Sequence, residues 1–242
     1  MADLTNSIDE IIDVDKLFDL LDITADEQAT ISDGEISYNF FTISDIDDGK
    51  KEILGNIGFK EFKESIFFIE GGEIRTKEAL NYLLPLYQQK EIECWDEIIE
   101  KLVNINEKGI IIFNPSSKQL RIVSKWKGKI VQNEDEFMRL VLDLNHLFRE
   151  SCKNGTEYRI NDKCRSHDFW KIIGNLRNYC YSHDPEQWSE DKVKEYSEKV
   201  KSTNEFLFSS PTVKKTPIDF LNAQFKLFNT CLDFLELTAG EI

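Results

Sequence analysis

SHDFWKIIGNLRNYCYSH, residues 166–183, spaces Phe169, Ile172, Ile173 and Leu176 at intervals of three and one, with Cys180 one turn further on. Apolar residues recurring every three or four positions line one face of an α-helix, so the stretch predicts an amphipathic helix with Ser166 or Asp168 as candidate N-caps. The same period extends to either side. EDEFMRLVLDLNHLFRESC, residues 134–152, puts Phe137, Leu140, Val141, Leu144 and Leu147 on one stripe. A third helix begins at Ser189, whose next residues Glu190 and Asp191 suit an N-terminus, and runs through VKEYSEKVKSTNEFLF. The fourth follows Pro217, with Leu221, Phe225, Phe228, Leu232 and Leu235 inward and Phe220, Leu227 and Phe234 widening the face. Four such helices with short links bury their stripes only against one another, which predicts a mainly α fold with an antiparallel helical bundle of four or five helices over residues 131–242.

Ahead of the bundle, residues 1–130 read as a smaller acidic α+β region. IDEIIDVDKLFDLLDI suggests a short helix with Ile11, Leu17 and Leu21 on one face. GEISYNFFTISDIDDGKK and IFFIEGG carry the β-branched and aromatic enrichment of strands and the Asp-Gly of a turn. TKEALNYLLPLYQQ and EIECWDEIIEKLVNI return to helical spacing, with Pro85 expected to bend or divide the first. GIIIFNPSSKQLRIVSKWKGKIV, residues 109–131, predicts a β-hairpin connected by Asn114-Pro115-Ser116-Ser117. Lys118, Arg121, Lys125, Lys127 and Lys129 make it basic, as either a nucleic-acid-contacting surface or a solvated edge.

The formal net charge of -15 over 242 residues argues against a polyanionic partner until its distribution is considered. Residues 1–50 hold 14 acidic and 2 basic side chains, whereas residues 101–150 hold 9 basic and 6 acidic ones. The acidity belongs to the front, and a local phosphate site in the back half remains electrostatically open. No apolar run reaches the length of a membrane span and the N-terminus is acidic, so a cytoplasmic protein without a membrane partner is expected. Five cysteines, an odd number, point to free thiols in a reducing compartment.

All three histidines, His146, His167 and His183, lie in the bundle half. Cys164 with His167 and Cys180 with His183 share one spacing and are candidate zinc ligands, which leaves a structural zinc protein as one reading. The denser cluster is Arg177, Asn178 and His183. Arginine offers phosphate a planar fork of donors, histidine exchanges a proton near neutrality, and Asn178 can orient either or hold a ribose hydroxyl. Together they suffice to cleave RNA by attack of the 2'-hydroxyl on phosphorus with neither metal nor cofactor. Against this stands a surface ion pair for Arg177 and a helix-ending role for His183 before Asp184-Pro185. Six residues of regular helix also rotate the side-chain direction by about 120°, so one helix cannot easily aim both groups at one phosphate unless it ends or distorts first. Two chains meeting across a two-fold axis offer the other solution.

IIGNLRNYCYSHD resembles the signature of the HEPN family of small helical domains, in which an arginine, usually followed by a polar residue, precedes a histidine by four to six intervening positions. Arg177, Asn178 and His183 occupy those three places, and the resemblance covers roughly residues 130–238. It implies a dimerising bundle of four or five helices with a composite site. It also implies a metal-independent endoribonuclease of the kind found in toxin-antitoxin, abortive-infection and CRISPR-associated defence, restrained by an antitoxin or regulatory protein. Inactive members instead bind nucleotides or protein partners, which is the alternative reading. Where one branch of the family carries a modifiable tyrosine two positions after the histidine, this chain has Pro185, so that modification is not expected. Nothing in residues 1–130 bears a comparable likeness.

Overall fold

Asn133, Asn161 and Thr216 each stand one residue before a helix and turn a side-chain oxygen back onto a backbone amide of its first turn, so the sequence marks where the second half becomes helical. The computed structural model describes residues 11–12, 14–33, 36–71, 74–109, 111–181, 189–208 and 215–241. They are mainly helical and divide into two compact units, residues 1–87 and 88–242.

In the first unit, helix α1 (Val14–Leu21) follows the two-residue strand β1 (Ile11–Ile12), and α2 (Asp48–Ile57) lies between the halves of a four-stranded antiparallel sheet. The sheet runs in the order β2 (Glu27–Asp33), β3 (Ile36–Thr42), β5 (Ile66–Glu70), β4 (Lys60–Lys63). Alternation decides its faces: Phe41, Phe67 and Ile69 are buried, while Phe40 and Phe68, one residue out of phase, stack on the other face with ring centroids 5.4 Å apart. Leu17, Phe18 and Leu21 of α1 complete this core with Leu54, Ile57 and Phe59, and Phe18 meets Phe41 edge to face at 5.0 Å. Leu17 and Leu21 share a buried helix face as expected, whereas Ile11, expected on the same face, lies in β1; the expected strands of this unit are present. The short β6 (Ile74–Arg75) pairs with β1.

Helix α3 (Thr76–Glu107) begins in the first unit and ends in the second. Pro85 lies inside it and does not divide it, so the two helical stretches expected there are one element.

The hairpin expected over residues 109–131 is not formed. Residues 117–126 are a helix, α4 (Ser117–Trp126). Ser116 accepts from the Gln119 amide and the Gln119 side chain accepts from the Ser116 amide, a reciprocal cap that outweighs the β-branched Ile122 and Val123. Its buried face, Gln119, Ile122 and Trp126, is helical in spacing. The segment from 88 onward therefore shares a core with the bundle through Trp95, Ile98, Phe113 and Trp126, and the two compact units divide at Tyr87/Gln88.

The expected helices of the second half follow as α5 (Glu134–Leu144), α7 (Asp168–Tyr181), α8 (Glu190–Phe208) and α9 (Pro217–Gly240). A π-helical turn, Asn145–Glu150, continues α5, and a small hairpin of β7 (Lys153–Asn154) and β8 (Glu157–Tyr158) and the one-turn α6 (Asp162–Arg165) link it to α7. Helices α5, α7, α8 and α9 pack on one another. Every expected stripe residue of α5 is buried, as are Phe169, Ile172, Ile173 and Leu176 of α7. Aromatic rings fill the centre, with Phe148, Phe169 and Trp170 all in contact with Phe234.

Candidate functional site

Arg177 lies on α7 three residues after Gly174, and the neighbourhood of that glycine sets what can approach the arginine. A Cβ at Gly174 would overlap the Arg149 guanidinium, which packs there, donates to the Trp170 carbonyl at 3.3 Å and stacks on the Trp170 ring at 5.0 Å. The missing side chain thus admits the π-helical turn against α7. A π-helical turn widens the helix by one residue per turn, redirecting side chains out of the regular α register. Here it carries His146 and Glu150 to a place where the charge of Arg177 acts on both.

The half-buried Arg177 donates from Nη1 to Asn178 Oδ1 at 3.0 Å. Among the described residues no carboxylate lies within ion-pair distance of Arg177, so the surface ion pair weighed for it is not made there. Arg177 and Asn178 are brought together as expected. His183, the third residue of the expected trio, lies outside the described residues.

The sequence reading gave no role to His146. Its Nε2 is 2.8 Å from the Lys118 ammonium nitrogen. Because an ammonium only donates, Nε2 accepts and the ring proton sits on Nδ1. Burial lowers the pKa of His146 below the ordinary histidine value, and Lys118 and, more weakly, Arg177 act the same way against Glu150 and Asp143. The imidazole is therefore neutral near pH 7, the state a proton acceptor requires. Glu150 is held below the usual carboxylate range although burial opposes this; Lys153 at 3.2 Å and Asn145 at 3.4 Å hydrogen-bond to it, and Arg177 adds its charge. Lys118, His146 and Glu150 line a cleft of about 250 Å³ with Asn114, Ser116 and Ser151.

The remaining basic residues of segment 109–131 resolve into structure. Lys125 pairs with Asp143 at 2.6 Å, Lys127 with Asp96 at 2.7 Å and Lys129 with Glu136 at 3.4 Å. Lys125 and Lys129 also lie over the Trp126 ring, 4.7 and 4.9 Å from its centroid. Arg121 is exposed. Among the described residues, Lys118 has no carboxylate within ion-pair distance and turns to a histidine instead. A basic nucleic-acid hairpin is thus replaced by internal ion pairs and one lysine at the cleft.

For zinc, Cys164 is buried and its thiol pKa is raised by burial, while His167 Nδ1 accepts from the Phe169 amide at 3.3 Å and its ring faces Phe234 at 5.8 Å. His167 thereby caps the start of α7 beside the expected Ser166 and Asp168. Among the described residues no three histidine, cysteine or acidic side chains converge to hold a metal ion. The Cys180 side chain and His183 lie outside them.

A larger cleft of about 370 Å³ runs between α7 and α8, but Lys171 there pairs with Asp168 at 3.8 Å and Lys199 with Glu195 at 2.5 Å, and Asn175 bonds Thr203 at 3.3 Å. Among the described residues no helix is long and apolar enough to cross a membrane. Comparison with protein-family models, curated proteins and solved structures returns no match.

Proposed function

We propose that this chain is a metal-independent endoribonuclease of HEPN type, cytoplasmic and dimeric, in which Arg177, His183 and Asn178 are catalytic. The observation that carries the reading is Arg177 itself. Its guanidinium is oriented by Asn178 at 3.0 Å, with no carboxylate within ion-pair distance among the described residues, on a helix whose opposite face is core. An arginine held this way is matched to the non-bridging oxygens of a phosphodiester.

The reaction needs no second reactant. A histidine takes the proton of the 2'-hydroxyl, the 2'-oxygen bonds to the adjacent phosphorus, and the bond from phosphorus to the 5'-oxygen breaks as that oxygen receives a proton. The cationic Arg177 stabilises the added charge on phosphorus. A second copy supplies the complementary half of the site, with RNA as substrate and an antitoxin or regulatory protein as restraint, as in defence systems.

Purified protein incubated with RNA and a chelator is expected to leave 5'-hydroxyl and 2',3'-cyclic phosphate ends. Arg177→Ala and His183→Ala are each expected to reduce cleavage by about 10²–10⁴-fold with the helical circular-dichroism signal intact. Cleavage that survives both substitutions, or that stops when metal is chelated, sinks the reading.

A further inference from the structure

We infer that the cleft between α4 and the π-helical turn is a phosphate-binding subsite for a polynucleotide backbone, formed by Lys118 and His146.

Two elements meet at it. Helix α4 brings Lys118 and the π-helical turn brings His146, and both line the cleft; α7, which also packs against that turn, carries Arg177 close enough for its charge to act on His146. The arrangement is unusual for a resting surface. A lysine normally turns to a carboxylate, yet Lys118 donates to an imidazole, and the two neighbouring acids are already engaged, Asp143 by Lys125 at 2.6 Å and Glu150 by Lys153 at 3.2 Å. One cation, Lys118, is therefore held in the cleft, with a second, Arg177, near its histidine and with Glu150 in the lining already paired to Lys153. A tetrahedral anion in the cleft accepts from Lys118 and, once His146 takes a proton, from the imidazole as well. It also reverses the sign of the field on His146, so anion binding and protonation of His146 favour each other.

The identity of the anion follows from room and openness. The cleft is open at the surface, has a volume of about 250 Å³, which leaves room for a phosphate, and its histidine lies within the field of the arginine that the ribonuclease reading places on the scissile phosphate. A strand engaging Arg177 then has a neighbouring phosphate for Lys118 and His146. The inference rests on that reading for the identity of the polymer, and on the cluster for the anion.

A fluorescein-labelled 2'-O-methyl oligoribonucleotide, which cannot be cleaved by 2'-hydroxyl attack, separates the two. Its anisotropy, titrated with the full chain over a range of salt, is expected to report binding that Lys118→Ala weakens about tenfold while lowering the salt slope by about one. His146→Gln should weaken binding at pH 6 more than at pH 8. Lys226→Ala is the control, because that exposed lysine of α9 lies over Phe206 of α8 and is expected to change nothing. Unaltered affinity and salt slope in Lys118→Ala overturn the inference, as does no binding by the wild type, or inorganic phosphate bound as tightly as the oligonucleotide. Binding that follows these expectations in a protein that cleaves no unmodified RNA upholds the subsite and sinks only the nuclease.

Discussion

Lys118 Nζ and His146 Nε2 lie 2.8 Å apart, an ammonium donating to a neutral imidazole. The contact joins residues from α4 and from the π-helical turn, and makes the histidine's protonation depend on a cation. Burial is the larger cause of its lowered pKa and Lys118 the next. Replacing Lys118 by methionine removes the cationic contribution and leaves burial, so the His146 pKa should rise. Replacing Glu150 by glutamine removes an opposing negative charge, and the pKa should fall further. Asp143 and Arg177, the other charged groups acting on the ring, stay in place in both variants. Chemical shifts of the His146 ring carbons, followed from pH 5 to 8, read both directions. A pKa indifferent to Lys118→Met would mean that the pair does not hold in solution.

Gly174 and Arg149 make a second coupled pair. In an exposed helix, glycine to alanine gains about 1 kcal/mol of helix propensity. At Gly174 the new methyl instead displaces the Arg149 guanidinium from Trp170. A double-mutant cycle separates the terms. Gly174→Ala should be neutral or destabilising with Arg149 present and stabilising by about 1 kcal/mol with Arg149→Ala, a coupling of about 1–2 kcal/mol by urea unfolding. Equal effects in both backgrounds would contradict the close approach.

The stripes of α5, α7 and α9 are legible because each is carried by residues three and four apart, such as Phe137, Leu140, Val141 and Leu144, all buried, whereas α8 is marked by the acidic residues after Ser189. Residues 117–126 were misread because Leu120, Ile122 and Val123 invite a strand, while the decisive signal was two polar residues, Ser116 and Gln119, at capping-box spacing. The lysines of that segment were read as one surface, yet their partners Asp96, Glu136 and Asp143 are distant in sequence and no local pattern pairs them. Arg177 and Asn178 were found because they are adjacent. His146 was overlooked because it follows an uninterrupted stripe, and a π-helical turn leaves no periodicity of its own; its relation to Lys118 exists only after α4 has folded onto it.

Gln224 tests the seam by which segment 88–133 joins the bundle. Fully buried on α9, it accepts from the Val131 amide at 2.8 Å and donates to the Lys129 carbonyl at 2.9 Å, so one side chain satisfies two polar groups of the irregular segment between α4 and α5. Gln224→Leu keeps the volume and strands the amide and the carbonyl, at a cost of about 2–4 kcal/mol. Gln224→Glu keeps the acceptor but buries a carboxylate against the Lys129 carbonyl, so it should destabilise at least as much as leucine at pH 8 and less near pH 5, where the protonated acid can donate. Chemical denaturation measures the order, and a leucine variant as stable as the wild type would show that water replaces the side chain.

Glu91 makes the stability of the second unit depend on pH. It is fully buried on α3, where burial raises its pKa to about 7, Asp96 adds to the rise, and the Gly128 and Lys129 amides oppose it. Oε2 accepts from the Gly128 amide, whereas Oε1 has no hydrogen-bond partner. The folded pKa lies above the ordinary value of 4.5, so between these limits the folded chain holds more of this proton than the unfolded chain does. Stability should therefore fall as pH rises from about 4.5 to about 7 and level off above that, with a total loss of at most about 3 kcal/mol. Glu91→Gln keeps an acceptor for Gly128 and carries no charge. It should match the wild type near pH 4.5, exceed it by up to about 3 kcal/mol at pH 8, and flatten the profile between. Urea midpoints at four or five pH values decide the matter, and parallel profiles for the two proteins would place the pH dependence elsewhere.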